Sequence, residues 1–145
     1  MSKLRVLFLC TGNSARSQMA EGYLRHVAGD RFDVASAGID PTAVTPLAIE
    51  AMREIGIYIS AHASKTADSL LDQHFHYVVT VCDNASEHCP IFPGAAKRLH
   101  WPFADPATAS GNTPQRLAVF RRVRDDITER VRAFAEDPAL SAAVG

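Results

Sequence analysis

The chain has 145 residues, of which 47% are hydrophobic and 21% charged, and this composition is typical of one globular domain spanning residues 1–145. A formal net charge of −1 gives no reason to expect nucleic acid or an anionic membrane surface as a partner. The apolar runs are shorter than the ~18 residues of a membrane span and no signal-peptide pattern is seen, so we expect a cytoplasmic protein.

The first predicted element is a buried strand over Val6–Leu9, because this run is continuously apolar, as the strands of parallel sheets are. A helix over Ser14–His26 follows, with apolar residues at helical spacing. Phe32–Ala37 is a second strand. Thr45-Pro46 combines a capping residue with a proline at the first helical position, which predicts a second helix ending at Gly56.

The second half of the chain continues the alternation of strands and helices. It contains a short third helix within Ser64–Gln73, a strand over Tyr77–Val81, a strand over Arg98–Trp101 and a last helix opening at Thr113-Pro114. This alternation predicts a single-domain, flavodoxin-like α/β fold, with a four-stranded parallel sheet of order 2-1-3-4 and helices on both faces. In such sheets a ligand binds beyond the strand ends where the order reverses, which is where the first strand ends.

The loop between the first strand and the first helix carries the strongest functional signal. It begins at Cys10 and continues through Thr11, Gly12, Asn13, Ser14, Ala15, Arg16 and Ser17. Such a loop turns successive N–H groups toward one point, and the helix N-terminus adds positive potential there. Arg16 can grip two oxygens of a tetrahedral oxyanion. The pattern predicts a nucleophilic Cys10 thiolate under an oxyanion-binding nest, rather than a cysteine buried at the end of a core strand.

Three further residues are expected at the same rim of the sheet. Cys82 ends the third strand, and Cys89 follows seven positions later. Each of these cysteines alone is more often structural, but with Cys10 they can pass an oxidised state outward by disulfide exchange. Asp105, fixed before Pro106, is placed as a general acid, with an ordinary Asp-Pro turn as the alternative. The odd number of cysteines and the lack of a Cys-x-x-Cys pair argue against a secreted disulfide framework and against structural zinc.

Two groups of charged residues have ordinary structural interpretations. Glu21 lies inside the first helix, where a solvated glutamate is the usual case. Arg121, Arg122 and Arg124 alternate with acidic neighbours, which predicts a solvated face of the last helix.

The segment Cys10–Ser17 resembles the phosphate-binding loop of low-molecular-weight tyrosine phosphatases and of arsenate reductases built on the same fold. Over nearly its whole length the chain resembles the thioredoxin-coupled arsenate reductases, through Cys10, Arg16, Cys82, Cys89 and Asp105. Phosphatases of this fold usually carry a second cysteine in the loop region and aromatic residues after the Asp-Pro pair. This loop has no second cysteine, and the residues after Pro106 are Ala107-Thr108-Ala109-Ser110. Both differences favour arsenate over a tyrosine phosphate.

The resemblance implies reduction of arsenate to arsenite by a three-cysteine relay. Cys10 attacks arsenate while Asp105 protonates the departing oxygen, Cys82 then attacks Cys10, and Cys89 receives the disulfide for thioredoxin to reduce. For this chain we expect no cofactor or bound metal ion beyond the reductant, and a monomer with residual phosphatase activity. A tyrosine phosphatase using Cys10, Arg16 and Asp105 is the alternative. A non-enzymatic thiol sensor is a further one, but it would leave Arg16 without a role.

The resemblance also implies a monovalent cation such as potassium beside the loop, bound by oxygens at the positions of Asn13, Glu21 and Ser36. The family has a further carboxylate at the position of Lys65, so this chain departs from the pattern there. A lysine cannot ligate a cation. We predict that its ammonium group replaces the ion, pairs with Glu21 and hydrogen-bonds Asn13 and Ser36, with an exposed lysine as the alternative.

Overall fold

The computed structural model describes residues 3–82 and 97–138, which form one parallel sheet with helices. The strands are β1 (Leu4–Cys10), β2 (Phe32–Gly38), β3 (Tyr77–Thr80) and β4 (Lys97–His100). The α-helices are α1 (Arg16–Ala28), α2 (Pro46–Arg53) and α3 (Thr113–Glu136), and two 3₁₀ turns cover Ala67–Leu70 and Pro106–Thr108. None of the helices in these ranges is long and apolar enough to cross a membrane.

The sheet order is β2-β1-β3-β4 with all neighbours parallel, which confirms the predicted order. The central strand β1 is buried throughout Val6–Leu9, as its continuous apolar run predicts. Cys10 lies opposite Gly38 of β2, and Leu9 lies opposite Thr80 of β3. Because Cys82 follows β3 by two residues, the carboxyl end of the sheet brings Cys10 and Cys82 to the same rim.

One aromatic cluster joins the sheet to α3. The ring of Trp101 lies 6.2 Å from that of Phe8 and 5.4 Å from that of Phe134, and Phe32 lies 5.7 Å from Phe134. These tilted and edge-on contacts are the arrangements that aromatic pairs favour. They fix the start of the segment after β4, which carries Asp105.

The predicted third helix is wrong in extent, because only the turn Ala67–Leu70 forms. The chain before it is already held by other elements: the Gly38 N–H donates to the Lys65 carbonyl at 2.8 Å. Within the turn, the Ser69 hydroxyl donates to the Thr66 carbonyl at 2.6 Å, which competes with helix continuation.

The predicted solvated arginine face is wrong for Arg124, whose residue exposure is 9%. Its guanidinium donates to the Ala51 carbonyl at 2.8 Å and to Glu54 and Asp125 at 2.9 Å each. Arg121 also binds Glu54, with Nε 2.9 Å from Oε1. Arg124 thus binds one carbonyl near the end of α2, and both arginines bind the carboxylate of Glu54, the residue after that helix.

Candidate active site

The loop after β1 is held from outside by the segment 39–45, whose backbone N–H groups donate to the loop carbonyls. The pairs are Ile39 with Cys10 at 3.1 Å, Asp40 with Thr11 at 2.8 Å, Thr42 with Gly12 at 3.0 Å and Thr45 with Ser14 at 2.8 Å. In a trans peptide the carbonyl and the following N–H point in opposite directions, and no cis peptide is present in the described ranges. Each anchored carbonyl therefore turns the next N–H toward the inside of the loop.

One inward N–H is observed directly, because Asn13 donates its backbone N–H to the Cys10 Sγ at 3.2 Å. Within the described residues, the N–H groups of Gly12, Ser14 and Ala15 donate to no protein acceptor. They are placed to bind an oxyanion, which supports the predicted nest.

Two backbone features allow the loop to close this tightly. Asn13 has a φ of 48°, in the left-handed region that asparagine tolerates better than most residues. Gly38 packs against the loop so closely that a Cβ there would lie 2.6 Å from the Thr11 carbonyl oxygen and 2.9 Å from the Asn13 nitrogen. Only glycine fits at this end of β2.

The Cys10 sulfur is buried and makes a second hydrogen bond, with the Ser17 hydroxyl. The Ser17 Oγ lies 2.9 Å from Sγ and itself accepts a hydrogen from the Asn13 side-chain amide at 2.8 Å. When Cys10 reacts as a thiolate its sulfur can only accept, so the Ser17 hydroxyl then donates to it. The backbone N–H of Asn13 and the hydroxyl of Ser17 thus both lie within hydrogen-bond distance of the Cys10 sulfur.

The hydrogen-bond network continues from Asn13 to a buried carboxylate. The second hydrogen of the Asn13 amide goes to Ser36 Oγ at 2.9 Å, and Ser36 donates to Glu21 Oε1 at 2.6 Å. Glu21 is only 4% exposed, so the solvated interpretation is wrong for it. Its other oxygen pairs with Arg25 at 2.7 Å. The sequence signal for Arg25 was its i,i+4 spacing from Glu21.

Lys65 reaches this network in two ways. Its ammonium lies 3.9 Å from Glu21 Oε1, as an ion pair, and its backbone N–H donates to Asn13 Oδ1 at 3.0 Å. The bond to Asn13 is thus made by the backbone rather than by the ammonium. Asn13 Oδ1 also accepts from Gln18 Nε2 at 3.0 Å. Lys65 and Arg25 thus both place positive charge beside Glu21, which opposes the binding of an added cation there.

Sequence reasoning missed Gln18 and His62, which brace the loop from the side. His62 Nδ1 lies 2.9 Å from Gln18 Oε1 and donates a hydrogen bond to this oxygen. Gln18 Nε2 in turn donates to Asn13 Oδ1. Burial lowers the pKa of His62 below its ordinary value, and the charges of Arg25 and Lys65 act in the same direction, against an opposing effect of Glu21. No local motif marks these partners, because they come from segments more than 40 residues apart.

Arg16 and Asp105 meet above the loop. Arg16 Nη1 donates to the Phe103 carbonyl at 3.1 Å, and Arg16 Nη2 lies 3.6 Å from Asp105 Oδ2. The other Asp105 oxygen accepts the Ala107 N–H at 3.0 Å. Asp105 therefore makes the ordinary Asp-Pro turn and still directs one oxygen to the rim. The two interpretations of this residue are compatible.

Cys82 lies beside the loop, with its Sγ 3.4 Å from Thr11 Oγ1. Both Cys10 and Cys82 are buried. The structure thus brings together the predicted nucleophile, the first resolving thiol, Arg16 and Asp105. Cys89 lies outside the described residues, so its place near Cys82 stays a prediction.

Comparison with known proteins gives concordant matches over nearly the whole chain. Residues 5–143 match the family described as low molecular weight phosphotyrosine protein phosphatase. A protein named arsenate reductase from Halalkalibacterium halodurans is 52% identical over 136 residues, covering 94% of this chain and 98% of the relative.

Two solved structures agree with this match. An arsenate reductase in the phosphate binding state superposes with a TM-score of 0.79 at 32% identity, covering 92% of this chain and 97% of the other. A thioredoxin-dependent arsenate reductase from Corynebacterium glutamicum gives 0.74 at 29% identity, covering 96% of this chain and 63% of the other.

Proposed function

The chain belongs to the low-molecular-weight phosphotyrosine protein phosphatase family and to its arsenate reductases, and we propose that it reduces arsenate to arsenite through Cys10, Cys82 and Cys89. One observation carries the proposal. Thr11 belongs to the anion loop, and its hydroxyl lies 3.4 Å from the Cys82 sulfur. A second thiol therefore lies beside the nucleophile's loop, as a redox relay requires and simple phosphate hydrolysis does not.

The loop binds the substrate before any bond changes. Arsenate is a tetrahedral oxyanion, and the inward N–H groups of the loop can contact its oxygens from below. Arg16 uses one nitrogen on the Phe103 carbonyl, which orients its guanidinium and leaves further N–H groups for the oxyanion. These donors also stabilise the charge that develops during attack.

The first chemical step forms a bond between Cys10 sulfur and arsenic. The thiolate attacks the side of arsenic opposite the departing oxygen, and Asp105 supplies a proton so that this oxygen leaves as water. Asp105 is 41% exposed at its side chain, so it can exchange that proton with solvent. Arsenic remains in its +5 state in the resulting adduct.

The second step is the reduction. The Cys82 thiolate attacks the Cys10 sulfur, a disulfide bond forms, and the electron pair of the sulfur–arsenic bond passes to arsenic, which leaves as arsenite. Two thiols lose two electrons, and arsenic falls from +5 to +3. The Cys10–Cys82 disulfide is the oxidised product.

The last step regenerates the nucleophile. Cys89 attacks Cys82, which releases the Cys10 thiolate and leaves a Cys82–Cys89 disulfide. Thioredoxin is the proposed reductant, because the similar Corynebacterium glutamicum protein is named thioredoxin-dependent. A single chain contains every proposed residue, so a monomer suffices, and reduction by thioredoxin is consistent with a cytoplasmic enzyme.

Two variants separate reduction from residual phosphatase activity. Cys82→Ser should abolish arsenite formation over repeated cycles and keep weak hydrolysis of an aryl phosphate, since phosphoryl transfer needs only Cys10, Arg16 and Asp105. Cys10→Ser should abolish both activities. Arsenite is measured by chromatography with arsenic detection, and hydrolysis by release of 4-nitrophenol. Many cycles of arsenate reduction by Cys82→Ser would refute the relay.

A further inference from the structure

We propose that Ser64 is a positioning residue that sets the orientation of one oxyanion-binding peptide; this inference rests on the proposed function. Among the loop carbonyls from Cys10 to Ser14, four accept backbone N–H groups of the segment 39–45. The Asn13 carbonyl is the exception within the described ranges. It accepts side-chain donors instead, from Ser64 Oγ at 2.7 Å and Gln18 Nε2 at 3.2 Å.

The Ser64 bond is the stronger of the two contacts. Gln18 Nε2 has two hydrogens and lies within hydrogen-bond distance of three acceptors: the Asn13 carbonyl, Asn13 Oδ1 at 3.0 Å and the Ala63 carbonyl at 3.1 Å. The Ser64 hydroxyl makes one short bond, to the Asn13 carbonyl alone. The orientation of this carbonyl therefore depends chiefly on Ser64.

The bond matters because the Asn13–Ser14 peptide lacks the backbone anchor that the segment 39–45 gives to the neighbouring loop peptides. Asn13 has a φ of 48°, so the peptide after it follows a left-handed residue. With its carbonyl held outward, the peptide directs the Ser14 N–H into the nest. If the peptide turned over, the carbonyl oxygen would face the oxyanion and repel it.

The Ser64 hydroxyl is itself held in place by backbone bonds. The next residue, Lys65, donates its N–H to Asn13 Oδ1 at 3.0 Å and accepts the Gly38 N–H at 2.8 Å. Removing the hydroxyl leaves both bonds intact, so the segment should stay in position. A smaller fraction of molecules then holds the loop in its binding-competent form, and the apparent affinity for the oxyanion falls in proportion to that fraction.

The test compares Ser64→Ala with the unmodified reduced enzyme. Phosphate binding is measured by isothermal titration calorimetry, and kcat and KM for arsenate in a reductant-coupled assay. Ser64→Ala should raise the phosphate Kd and the arsenate KM by a common factor of about three to ten, with kcat changed less than about twofold, because the N–H contacts the oxyanion in both ground and transition states. Ser64→Thr keeps the hydroxyl and should restore both values.

A matched control is available in the same segment. Ser69 donates its hydroxyl to the Thr66 carbonyl at 2.6 Å, away from the loop, so Ser69→Ala removes the same kind of bond and should leave phosphate binding unchanged. If Ser64→Ala does not fold, Ser64→Thr and Ser64→Val form an isosteric pair that differs only in the hydroxyl.

The outcomes separate this inference from the proposed function. An unchanged phosphate Kd in Ser64→Ala overturns the inference, even if its melting temperature falls. Equal phosphate binding by Ser64→Thr and Ser64→Val overturns it as well. Failure of the unmodified enzyme to form arsenite overturns the proposed function, while the phosphate measurement still decides the role of Ser64.

Discussion

Lys65 offers a test of how the buried Glu21 carboxylate is neutralised. Its ammonium lies 3.9 Å from Glu21 Oε1, with side-chain exposures of 39% for the lysine and 6% for the glutamate. At this separation the Coulomb attraction is about 1 kcal/mol in water and about 4 kcal/mol at an effective dielectric near 20. Half-exposure and the ordering of the lysine side chain bring the net value to about 1 kcal/mol.

We therefore expect Lys65→Met to lower the melting temperature by about 2–4 °C, as a loss of about 1 kcal/mol does in a domain of this size. Lys65→Asp should lower it further in sodium, because two carboxylates then face each other, and potassium should restore stability and activity. The unmodified enzyme should not distinguish potassium from sodium. Melting curves and arsenate kinetics are recorded in potassium or sodium chloride at equal ionic strength.

Lys3 provides the control, because its ammonium also lies 3.9 Å from a carboxylate, that of Asp33, but both of these side chains are exposed at 43% and 60%. Lys3→Met should change the melting temperature by less than about 1 °C. Strong potassium activation of the unmodified enzyme would refute the substitution of the ion by Lys65. Equal effects of Lys65→Met and Lys3→Met would refute the pairing with Glu21.

Three other predictions follow from the same contacts. Burial lowers the pKa of His62 below its ordinary 6.5, so on acidification the unfolded chain binds the proton first, and the free energy of unfolding should be full above about pH 6.5 and fall below it. His62→Asn can still donate to Gln18 and should reduce this fall, measured by urea unfolding at about pH 7 and 5.5. The same fall in the variant as in the unmodified enzyme would contradict this role of His62. Arg124→Met should lower the free energy of unfolding in urea by about 2–3 kcal/mol, because the Ala51 carbonyl loses this donor. The same change at exposed Arg132 should lower it by less than about 0.5 kcal/mol. Equal losses in the two variants would refute the buried role of Arg124. Oxidation to the Cys82–Cys89 disulfide should raise hydrogen exchange mainly between these cysteines and in their contacts, and equal exchange in the two redox forms would remove the conformational step.

The parts of the fold that the sequence predicts well are those set by local pattern. The alternation of strands with helices and a ligand loop at the end of the first strand favour this sheet order, because right-handed crossovers leave few alternatives. The loop from Cys10 to Arg16 is equally local, since small residues at a strand-to-helix junction have few other uses. Cys82 follows from the sheet order, which brings strand ends together at one rim.

The missed features depend on packing between distant segments. Glu21 is placed beside Ser36 only through the resemblance, because nothing in the helix pattern alone shows that β2 supplies the serine or that Arg25 binds the same carboxylate. The role of Ser64 requires that its segment lie against Asn13, 51 positions earlier in the chain. The predicted third helix failed for the same reason, because these tertiary bonds hold its first residues extended.

The relay is tested most directly by counting products against thiols in the unmodified enzyme. Without a reductant, arsenate should yield about one arsenite per chain with the loss of two thiols, because two cysteine electron pairs supply the reduction. With thioredoxin, thioredoxin reductase and NADPH, turnover should continue at about one NADPH consumed per arsenite formed. Hydrolysis of an aryl phosphate in a parallel assay, with no arsenite formed and no thiol lost, would contradict arsenate reduction by this chain.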